Sequence, residues 1–214
     1  MDLAQQVLNN MQKGYVFFVR HGQTDWNLKK LIQGRDEVPL NETGLSQAQW
    51  VAQGLKEACE RTGLKFDRVI SSPLGRASVT AKTIAEEIGC DDFSTDERLI
   101  ERDFGEQSGK TYDFNSPFII GNDDSIKGLE PVENVLLRMQ NFIKEVALPG
   151  KHIIAVTHGS STAVLTKRTK KRYEKDKIES VLHNCHMVVF SYDGCELLVE
   201  GYNVSPKNLD NLEL

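Results

Sequence analysis

The stretch of sequence that decides the fold is residues 15–24, which read YVFFVRHGQT. Its first five residues are bulky and apolar, a run too short to span a membrane and typical of a strand buried on both faces. The run ends abruptly at Arg20, His21 and Gly22. Because open α/β sheets carry their sites at the carboxyl ends of parallel strands, these three residues are predicted to lie at a functional edge of a sheet.

Further apolar runs predict that this strand belongs to a larger sheet. Residues 67–70 and 152–157 have the pattern of buried strands, and helical periodicity follows each of them. Strands that alternate with helices indicate an α/β fold with a mainly parallel sheet in a three-layer α/β/α arrangement. Asp193-Gly194 separates the last two predicted strands and indicates an antiparallel C-terminal hairpin with a two-residue link. With no repeat or interior linker, residues 1–214 are predicted to form a single domain.

Local signals predict where the helices begin and end. Thr43 is predicted to cap a helix whose apolar face includes Leu45. Ser72 and Pro73 are predicted to be the N-cap and the first residue of the next helix, which Gly89 ends. Three further elements are predicted: a short amphipathic helix at residues 3–11, a brief strand at residues 93–95 and a helix that starts at Pro131.

Composition narrows the class of protein. A hydrophobic content of 39% and a charged content of 27% are typical of a soluble protein, and 214 residues suit one α/β domain with a substantial core. The net charge of -5 gives no general attraction to nucleic acid or to an anionic membrane, so an anion site has to be a local concentration of cations. No apolar run approaches the roughly 18 to 20 residues of a spanning helix, and the N-terminus lacks signal-peptide features. We therefore expect a cytoplasmic protein whose four cysteines, which lack CxxC spacing, are buried thiols.

Reactive residues follow three of the predicted strands. The first strand ends at Arg20 and His21, the second runs into a turn that contains Arg76, and a later one ends at His158. If these strands are parallel neighbours, their ends meet at one edge of the sheet. Two of the strands also run into helix N-termini, whose free N–H groups favour an anion. Two arginines, two histidines and helix amides around one cavity predict a phosphate site.

These residue types suit attack on a phosphate monoester. Arg20 and Arg76 can each bind non-bridging oxygens through two N–H groups, which neutralises the charge that repels a nucleophile. His21 is the predicted nucleophile, because a neutral imidazole is nucleophilic near pH 7 and a backbone carbonyl can fix its other nitrogen. His158 is predicted to stabilise the equatorial oxygens, best in its protonated form. No metal or other cofactor is required, and we recognise no ligand cluster for one.

Attack by His21 on the phosphate would give a phosphohistidine, which water later hydrolyses. The leaving alkoxide needs a proton, and that water must lose one. A single carboxyl group can do both in sequence. Glu101 is the candidate and Asp103 the alternative. Four further residues are candidates for the phosphate site, the first three of them either by contact with phosphate or only by bracing a loop: Thr24, Asn27, Gln33 and Gly159.

Four motifs resemble those of the histidine phosphatase superfamily, the phosphoglycerate mutase-like proteins. Arg20-His21-Gly22-x-Thr24, followed by Asn27, resembles the signature of that family. The resemblance continues in order at residues 71–77, 99–105 and 156–159, and it runs from about Tyr15 to Asn203. It implies a phosphoglycerate mutase-like fold and a phosphohistidine mechanism, with the second arginine at Arg76 and the acid at Glu101.

Two departures from the mutase branch favour hydrolysis. Gln33-Gly34 replaces the usual Gly-Trp and is closer to the phosphatase branches. Residues 106–131, which we expect to form a lid, hold only Lys110 and Lys127 against five acidic residues, the wrong sign for holding a bisphosphate. The predicted activity is therefore hydrolysis of a small phosphate ester. Two alternatives are a bisphosphoglycerate-dependent mutase and a phospho-ligand binding protein without turnover.

Two other patterns are weighed and not favoured as sites. His183, Cys185 and His186 have metal-ligating side chains, but they lie in a strand-forming run without a second cluster, which favours core or surface roles. The basic stretch Lys167–Lys177 lacks interleaved aromatic residues, which favours a solvated helix end over a nucleic-acid site. The predicted partner is thus a small phosphate ester, with no nucleic acid and no membrane, and the oligomeric state is left open.

Overall fold

The computed structural model describes residues 13–113, 116–172 and 182–212, without the side chains of residues 117, 210 and 211. The helix predicted at residues 3–11 and the last part of the basic stretch lie outside the described residues.

Seven strands in the described ranges form one mixed sheet, in the order β3-β2-β4-β1-β6-β7-β5. The four strands from β3 to β1 pair in parallel, as predicted, and β6 and β7 form the predicted antiparallel hairpin beside β1. The short β5 pairs in parallel with β7 at the far edge. The bounds are β1 Gly14–Arg20, β2 Arg68–Ser71, β3 Phe93–Thr95, β4 His152–Thr157, β5 Lys170–Lys171, β6 Met187–Tyr192 and β7 Leu197–Val204.

Helices cover both faces of the sheet. Their bounds are α1 Asp25–Leu28, α2 Glu42–Thr62, α3 Gly75–Ile88, α4 Val132–Val146 and α5 Gly159–Arg168, and short 3-10 turns lie at Glu97–Leu99, Gly105–Gln107, Pro117–Ile119 and Pro206–Asn211. Among the helices of the described ranges, none has both the length and the apolar content needed to cross a bilayer.

Strand β1 is buried along its whole length because its side chains enter two separate cores. Phe17 and Val19 pack with the apolar faces of α2 and α3 on one side of the sheet. Val16 and Phe18 pack with α4 and α5 on the other side. The two-sided burial predicted from the apolar run is confirmed, and with it the three-layer arrangement.

The start of α2 differs from the prediction. Asn41, not Thr43, is the N-cap, and its side-chain oxygen accepts a hydrogen bond of 2.9 Å from the backbone N–H of Gly44. The helix therefore starts two residues earlier than Thr43 would allow. Leu45 is 52% exposed because the helix buries Ala48, with Val51, Leu55 and Ala58 continuing that face, which turns Leu45 toward solvent.

The start of α3 also differs from the prediction. The helix begins at Gly75 with Leu74 in the N-cap position, so Ser72 and Pro73 precede it in a turn. The hydroxyl of Ser72 lies 2.8 Å from Nε2 of His158 and does not cap the helix. The predicted end is confirmed, because Gly89 closes the helix in the left-handed conformation with φ of 68°.

The hairpin link is longer than the two residues predicted. Tyr192 pairs with Leu197, which leaves a four-residue loop. The carboxylate of Asp193 closes this loop by accepting the backbone N–H groups of Cys195 and Glu196 at 2.9 and 2.8 Å. The four cysteines are free thiols, but only Cys185 is buried, and Cys195 in this loop is exposed.

Candidate active site

The ends of β2, β4 and β1 lie side by side at one edge of the sheet. Arg20 at the end of β1 is in register with Thr157 of β4, and Val156 of β4 is in register with Ser71 of β2. The rings of His21 and His158, which directly follow β1 and β4, are consequently 5.1 Å apart between centroids. The three strand ends therefore meet at one edge of the sheet, as predicted.

The His21 imidazole is held in one tautomer. Its Nδ1 lies 2.7 Å from the carbonyl oxygen of Gly22, which can only accept, so Nδ1 carries the proton and Nε2 keeps its lone pair. The amide of Asn184 donates to the backbone carbonyl of His21 at 2.8 Å and fixes the chain beside the ring. Burial, and then the guanidinium groups of Arg76 and Arg20, hold the pKa of His21 well below its usual range. The ring is therefore neutral near pH 7, the form a nucleophile needs.

His158 is fully buried, and it is hydrogen-bonded through Nε2, whereas His21 is bonded through Nδ1. Its Nε2 lies 2.8 Å from Oγ of Ser72, and Ser72 Oγ in turn accepts the N–H of Leu74 at 3.4 Å. Nε2 is the acceptor within reach of the Ser72 hydroxyl among the described residues, so we assign that hydroxyl as the donor and the ring proton to Nδ1. Burial first, then Arg76, keeps the pKa of His158 well below its usual range. A neutral ring with a proton on Nδ1 already donates a hydrogen bond, so the protonated form expected from the sequence is not required.

The two buried arginines bind backbone carbonyls rather than carboxylates. Arg20 donates from Nη1 to the carbonyl of Leu182 at 2.5 Å. Arg76 donates to the carbonyls of Asp36 and Gly34 at 2.7 and 2.8 Å. Neither forms a salt bridge with a described residue, so their positive charges are not cancelled by direct ion pairing. Carbonyls orient the guanidinium groups while leaving this net charge available to an anion.

Three buried polar atoms around the histidine pair have no hydrogen-bond partner among the described residues. They are Nε of Arg20, Nε of Arg76 and Nδ1 of His158. A buried unsatisfied donor costs about 1 to 3 kcal/mol, more for a charged group. Arg20 and Arg76 line the cavity, and the ring of His158 is 5.1 Å from that of His21. We call these three donors the cradle; an anion with several oxygens would supply the acceptors that they lack.

Gly159, the first residue of α5, lets the helix approach Arg20. A Cβ atom added at Gly159 would lie 3.3 Å from Nε and 3.4 Å from Cζ of Arg20. Glycine therefore places the guanidinium directly against the first turn of the helix. The positive end of the helix dipole and the cation then act on the same space.

Glu101 and Asp103, the two candidates for the proton donor, are placed differently. Glu101 is buried, lines the cavity and is bound to the first turn of α5: Oε2 accepts the N–H of Ser160 at 3.1 Å. Asp103 is 45% exposed at its side chain, accepts the N–H of Gly105 at 2.8 Å and does not line the cavity. The position of Glu101 fits a group that exchanges protons with a ligand, and that of Asp103 does not.

Two residues that sequence reasoning missed hold Glu101 in place. The hydroxyl of Ser161 donates to Oε1 of Glu101 at 2.8 Å. Arg138 of α4 donates to that hydroxyl oxygen at 3.2 Å and to the carbonyl of Ile100 at 2.6 Å, so it also fixes the preceding backbone. Ser161 lies two residues after the motif at residues 156–159, but nothing in the pattern marks its hydroxyl as a partner of a carboxylate 60 residues away.

The three loop candidates differ in their access to the cavity. Thr24 is completely buried, caps α1 and donates from Oγ1 toward Gln33 at 3.0 Å, which is a bracing contact. Asn27 and Gln33 line the cavity, although the side-chain oxygen of Asn27 also accepts the N–H of Thr24 at 3.1 Å. Asn27 and Gln33 can therefore contact a ligand in the cavity, whereas Thr24 shapes the turn.

The site opens into a cavity of about 280 Å³. Its polar end contains Arg20, His21, Arg76 and Glu101. Its walls contain aliphatic and aromatic side chains: Leu31, Ile32, Ile119, Ile120 and Leu182, with Phe104, Tyr112 and Tyr202. A cavity of this size suits a small molecule with a charged end and a less polar body.

The model of the histidine phosphatase superfamily (branch 1) matches residues 16–205. The chain belongs to this superfamily. The family predicted from the four sequence motifs is thereby confirmed, and the match runs from the third residue of β1 to just past the end of β7.

Relatives in the superfamily include both mutases and phosphatases. A 2,3-bisphosphoglycerate-dependent phosphoglycerate mutase of Beijerinckia indica is 35% identical over 168 residues, which cover 69% of this chain and 76% of that protein. An uncharacterized phosphatase, PhoE, of Bacillus subtilis is 32% identical over 160 residues, 71% of this chain and 76% of that protein. The structure of a mycobacterial glucosyl-3-phosphoglycerate phosphatase matches with a TM-score of 0.72 at 22% identity, over 90% of this chain and 100% of that one. At that identity the structural likeness shows the fold alone.

In this member of the superfamily, residues 116–131 are fastened beside the cavity. Ser160 donates from Oγ to the carbonyl of Ile119 at 2.7 Å, which ties the segment to α5. The buried guanidinium of Arg102 binds the segment through backbone carbonyls at 2.7 to 3.0 Å, those of Phe118, Gly121 and Glu130. The segment expected to be a lid therefore supplies one wall of the cavity.

His183, Cys185 and His186 and the described part of the basic stretch lie in different surroundings. The rings of His183 and His186 are 5.1 Å apart, and Cys185 between them is buried. Within the described ranges, no three His, Cys, Asp or Glu side chains are arranged to hold a metal ion. In the basic stretch, Lys170 pairs with Glu196 at 2.8 Å, whereas Lys167 lines the cavity.

Proposed function

We propose that this chain is a phosphomonoester hydrolase that acts on a small phosphorylated metabolite through a phosphohistidine at His21. The observation that carries the proposal is the set of three unpartnered buried donors, on Arg20, Arg76 and His158, around an imidazole whose Nε2 is unprotonated. Such a cradle binds the phosphoryl oxygens and leaves the phosphorus open to attack.

In the first step, Nε2 of His21 attacks phosphorus and the bond from phosphorus to the ester oxygen breaks. The guanidinium groups of Arg20 and Arg76 bind the non-bridging oxygens as their charge shifts. Glu101 in its acid form gives its proton to the leaving alkoxide, so an alcohol departs and a carboxylate remains.

In the second step, water attacks the phosphohistidine and the bond between phosphorus and Nε2 breaks. The carboxylate of Glu101 takes the proton of that water, which restores its acid form and releases inorganic phosphate. His21 returns to the neutral tautomer that the Gly22 carbonyl favours. No proton or electron is left over, and the chain's own residues suffice for both steps.

The distribution of charge supports hydrolysis over mutase activity. Lys110 and Lys127, the cations of residues 106–131, do not line the cavity. Among the described residues, the lysines and arginines of the cavity wall are Arg20, Arg76 and Lys167, and Lys167 lies two helical turns along α5. A mutase has to hold two phosphates on adjacent carbons while the ligand reorients, which a single distant cation supports poorly.

The test is phosphate release from 4-nitrophenyl phosphate in the presence of EDTA, with His21→Ala as the variant. We expect an active wild type, a variant without measurable turnover, and a phosphoryl group trapped on the wild type alone by an alkaline quench. His183→Ala, which alters an exposed histidine outside the cavity, is the matched control and stays active. Retained turnover in His21→Ala removes the mechanism, and binding of phosphate without hydrolysis of any ester makes the chain a binding protein.

The second candidate is a bisphosphoglycerate-dependent mutase, which the 35% identity to the Beijerinckia indica enzyme favours. It is separated from the hydrolase by one assay. With 3-phosphoglycerate and catalytic 2,3-bisphosphoglycerate, a hydrolase releases phosphate faster than it forms 2-phosphoglycerate. The reverse order of rates replaces the proposal by the mutase.

A further inference from the structure

The cavity follows one face of α5. Gly159 and Ser160, Ala163 and Lys167 line it at successive turns, a spacing of three to four residues that keeps them on one side of the helix. At 1.5 Å of rise per residue, Lys167 lies about 12 Å along the helix axis from Gly159. A ligand whose phosphate occupies the cradle therefore extends along this face toward Lys167.

The side chains between the two ends are mainly apolar, although Tyr112 and Tyr202 also line the cavity. Leu31 and Ile32 come from the loop after α1, Ile119 and Ile120 from the segment fastened by Arg102, and Leu182 from the loop before β6. Polar groups of a sugar or a glycerate skeleton would be desolvated against these side chains without hydrogen-bond partners from them. A hydrocarbon or aromatic body is favoured there, because it gains by leaving water.

Lys167 places an uncompensated positive charge at the outer end. Its ammonium group is exposed and makes no hydrogen bond or ion pair with another described residue. Its neighbours are engaged: Arg168 donates to the carbonyl of Ile120 and Lys170 pairs with Glu196. Among the described residues, Glu101 is the carboxylate of the cavity wall, and it lies at the opposite end, bound to α5.

We propose that Lys167 is a specificity-determining residue that selects phosphate monoesters with an extended apolar leaving group ending in an anion such as a carboxylate. This substrate class rests on the proposed hydrolase function. The phosphate occupies the cradle, the apolar body lies along the aliphatic walls, and the terminal anion pairs with the ammonium group of Lys167.

The test compares two substrates that differ only at the far end, 8-(phosphonooxy)octanoate and octyl phosphate. We expect Lys167→Met to lower kcat/KM for the carboxylate about fivefold, the upper range for a solvent-exposed ion pair, mainly through KM. Octyl phosphate keeps its kcat/KM, since the methionine retains the apolar stem. Lys167→Arg retains the preference, and Lys170→Met, a lysine outside the cavity, changes neither substrate.

Salt provides a second readout. Raising the ionic strength to about 1 M shrinks the Debye length to about 3 Å, so the advantage of the carboxylate substrate falls in the wild type and is unchanged in Lys167→Met. Equal loss on both substrates in Lys167→Met, or no preference in the wild type, overturns the role of Lys167 while hydrolysis itself stands. Failure of the hydrolase proposal is distinct, because then neither ester releases phosphate or His21→Ala remains active.

Discussion

Glu101 and Ser161 are joined by two hydrogen bonds on a single oxygen atom. Oε1 of Glu101 accepts both the backbone N–H and the hydroxyl of Ser161, each at 2.8 Å. The backbone N–H of Arg102 is a third donor to the same oxygen, also at 2.8 Å. From the described residues, Oε2 receives the N–H of Ser160 alone, at 3.1 Å. Oε1 is thus occupied as an anchor, and Oε2 is the oxygen left to exchange a proton with a leaving group.

Ser161→Ala removes one anchor without touching the cavity wall. A hydrogen bond to a charged group contributes about 1.5 to 3 kcal/mol, so we expect kcat for an alkyl phosphate to fall roughly 10- to 100-fold. The loss for 4-nitrophenyl phosphate is much smaller, because nitrophenolate departs without needing a proton. Steady-state kinetics on the two substrates measure the difference.

Thr166→Val is the control for that variant. Thr166 is also a buried hydroxyl of α5, but it donates to the carbonyl of Thr162 and has no contact with Glu101. It should affect both substrates equally and slightly. If Ser161→Ala also lowers both substrates by the same factor, Ser161 supports only the fold of the helix and does not position the proton donor.

Glu101→Gln and Asp103→Asn decide which carboxyl group transfers the proton. Removing a general acid costs about 10²- to 10⁴-fold in rate, and we expect that loss in kcat for alkyl phosphates in Glu101→Gln. Asp103→Asn keeps most of its activity, because its side chain is outside the cavity and 45% exposed. The reverse ranking in the same assay would transfer the role to Asp103.

The parts of the site that the sequence predicts are those attached to the ends of buried parallel strands. Arg20, His21 and His158 directly follow apolar runs, and the topology of a parallel sheet brings such ends together wherever the loops go. Arg76 lies in the first turn of the helix after β2, so the same rule places it. Their roles follow from residue type, since few side chains can bind or attack phosphate.

Contacts between distant segments could not be predicted in the same way. Arg138 reaches Ser161 only because α4 packs beside α5, and Arg102 gathers carbonyls from a segment without periodicity. The predicted start of α2 was wrong for another reason. Asn41 and Thr43 are both good capping residues, and burial of Ala48 and its successors decides between them.

Gly44→Ala tests a close approach that supports the signature loop. Alanine stabilises a helix by about 1 kcal/mol relative to glycine, so propensity alone predicts a gain. Here an added Cβ would lie 2.0 Å from the carbonyl oxygen of Gln23, which lies within the signature Arg20-His21-Gly22-x-Thr24. We expect the opposite sign, a loss of about 1 to 3 kcal/mol in the free energy of unfolding measured in urea, together with lower kcat.

Ser46→Ala is the matched control on the same helix. Ser46 is exposed in the first turns of α2. Its replacement by alanine therefore raises the helix propensity without bringing a Cβ atom against Gln23. A stabilised Gly44→Ala protein would mean that Gln23 shifts freely, and the loop after β1 would then not depend on its contact with α2.

Burial of two neutral histidines predicts that the protein loses stability in mild acid. Burial, with Arg76 next in effect, lowers the pKa of both His21 and His158 in the folded state from the ordinary value of 6.5. Below about pH 6.5 the unfolded chain binds protons that the folded one excludes, so the free energy of unfolding falls as the pH falls toward the folded-state pKa. Each histidine contributes up to about 1.4 kcal/mol per pH unit.

His158→Asn removes one of these groups and should flatten the decline in urea unfolding free energy between about pH 6.5 and 5 by up to that amount per pH unit. Part of the decline persists, since burial also lowers the pKa of His152 and His186. An unchanged slope in His158→Asn would mean that the buried ring takes up its proton as readily in the folded protein as in the unfolded chain.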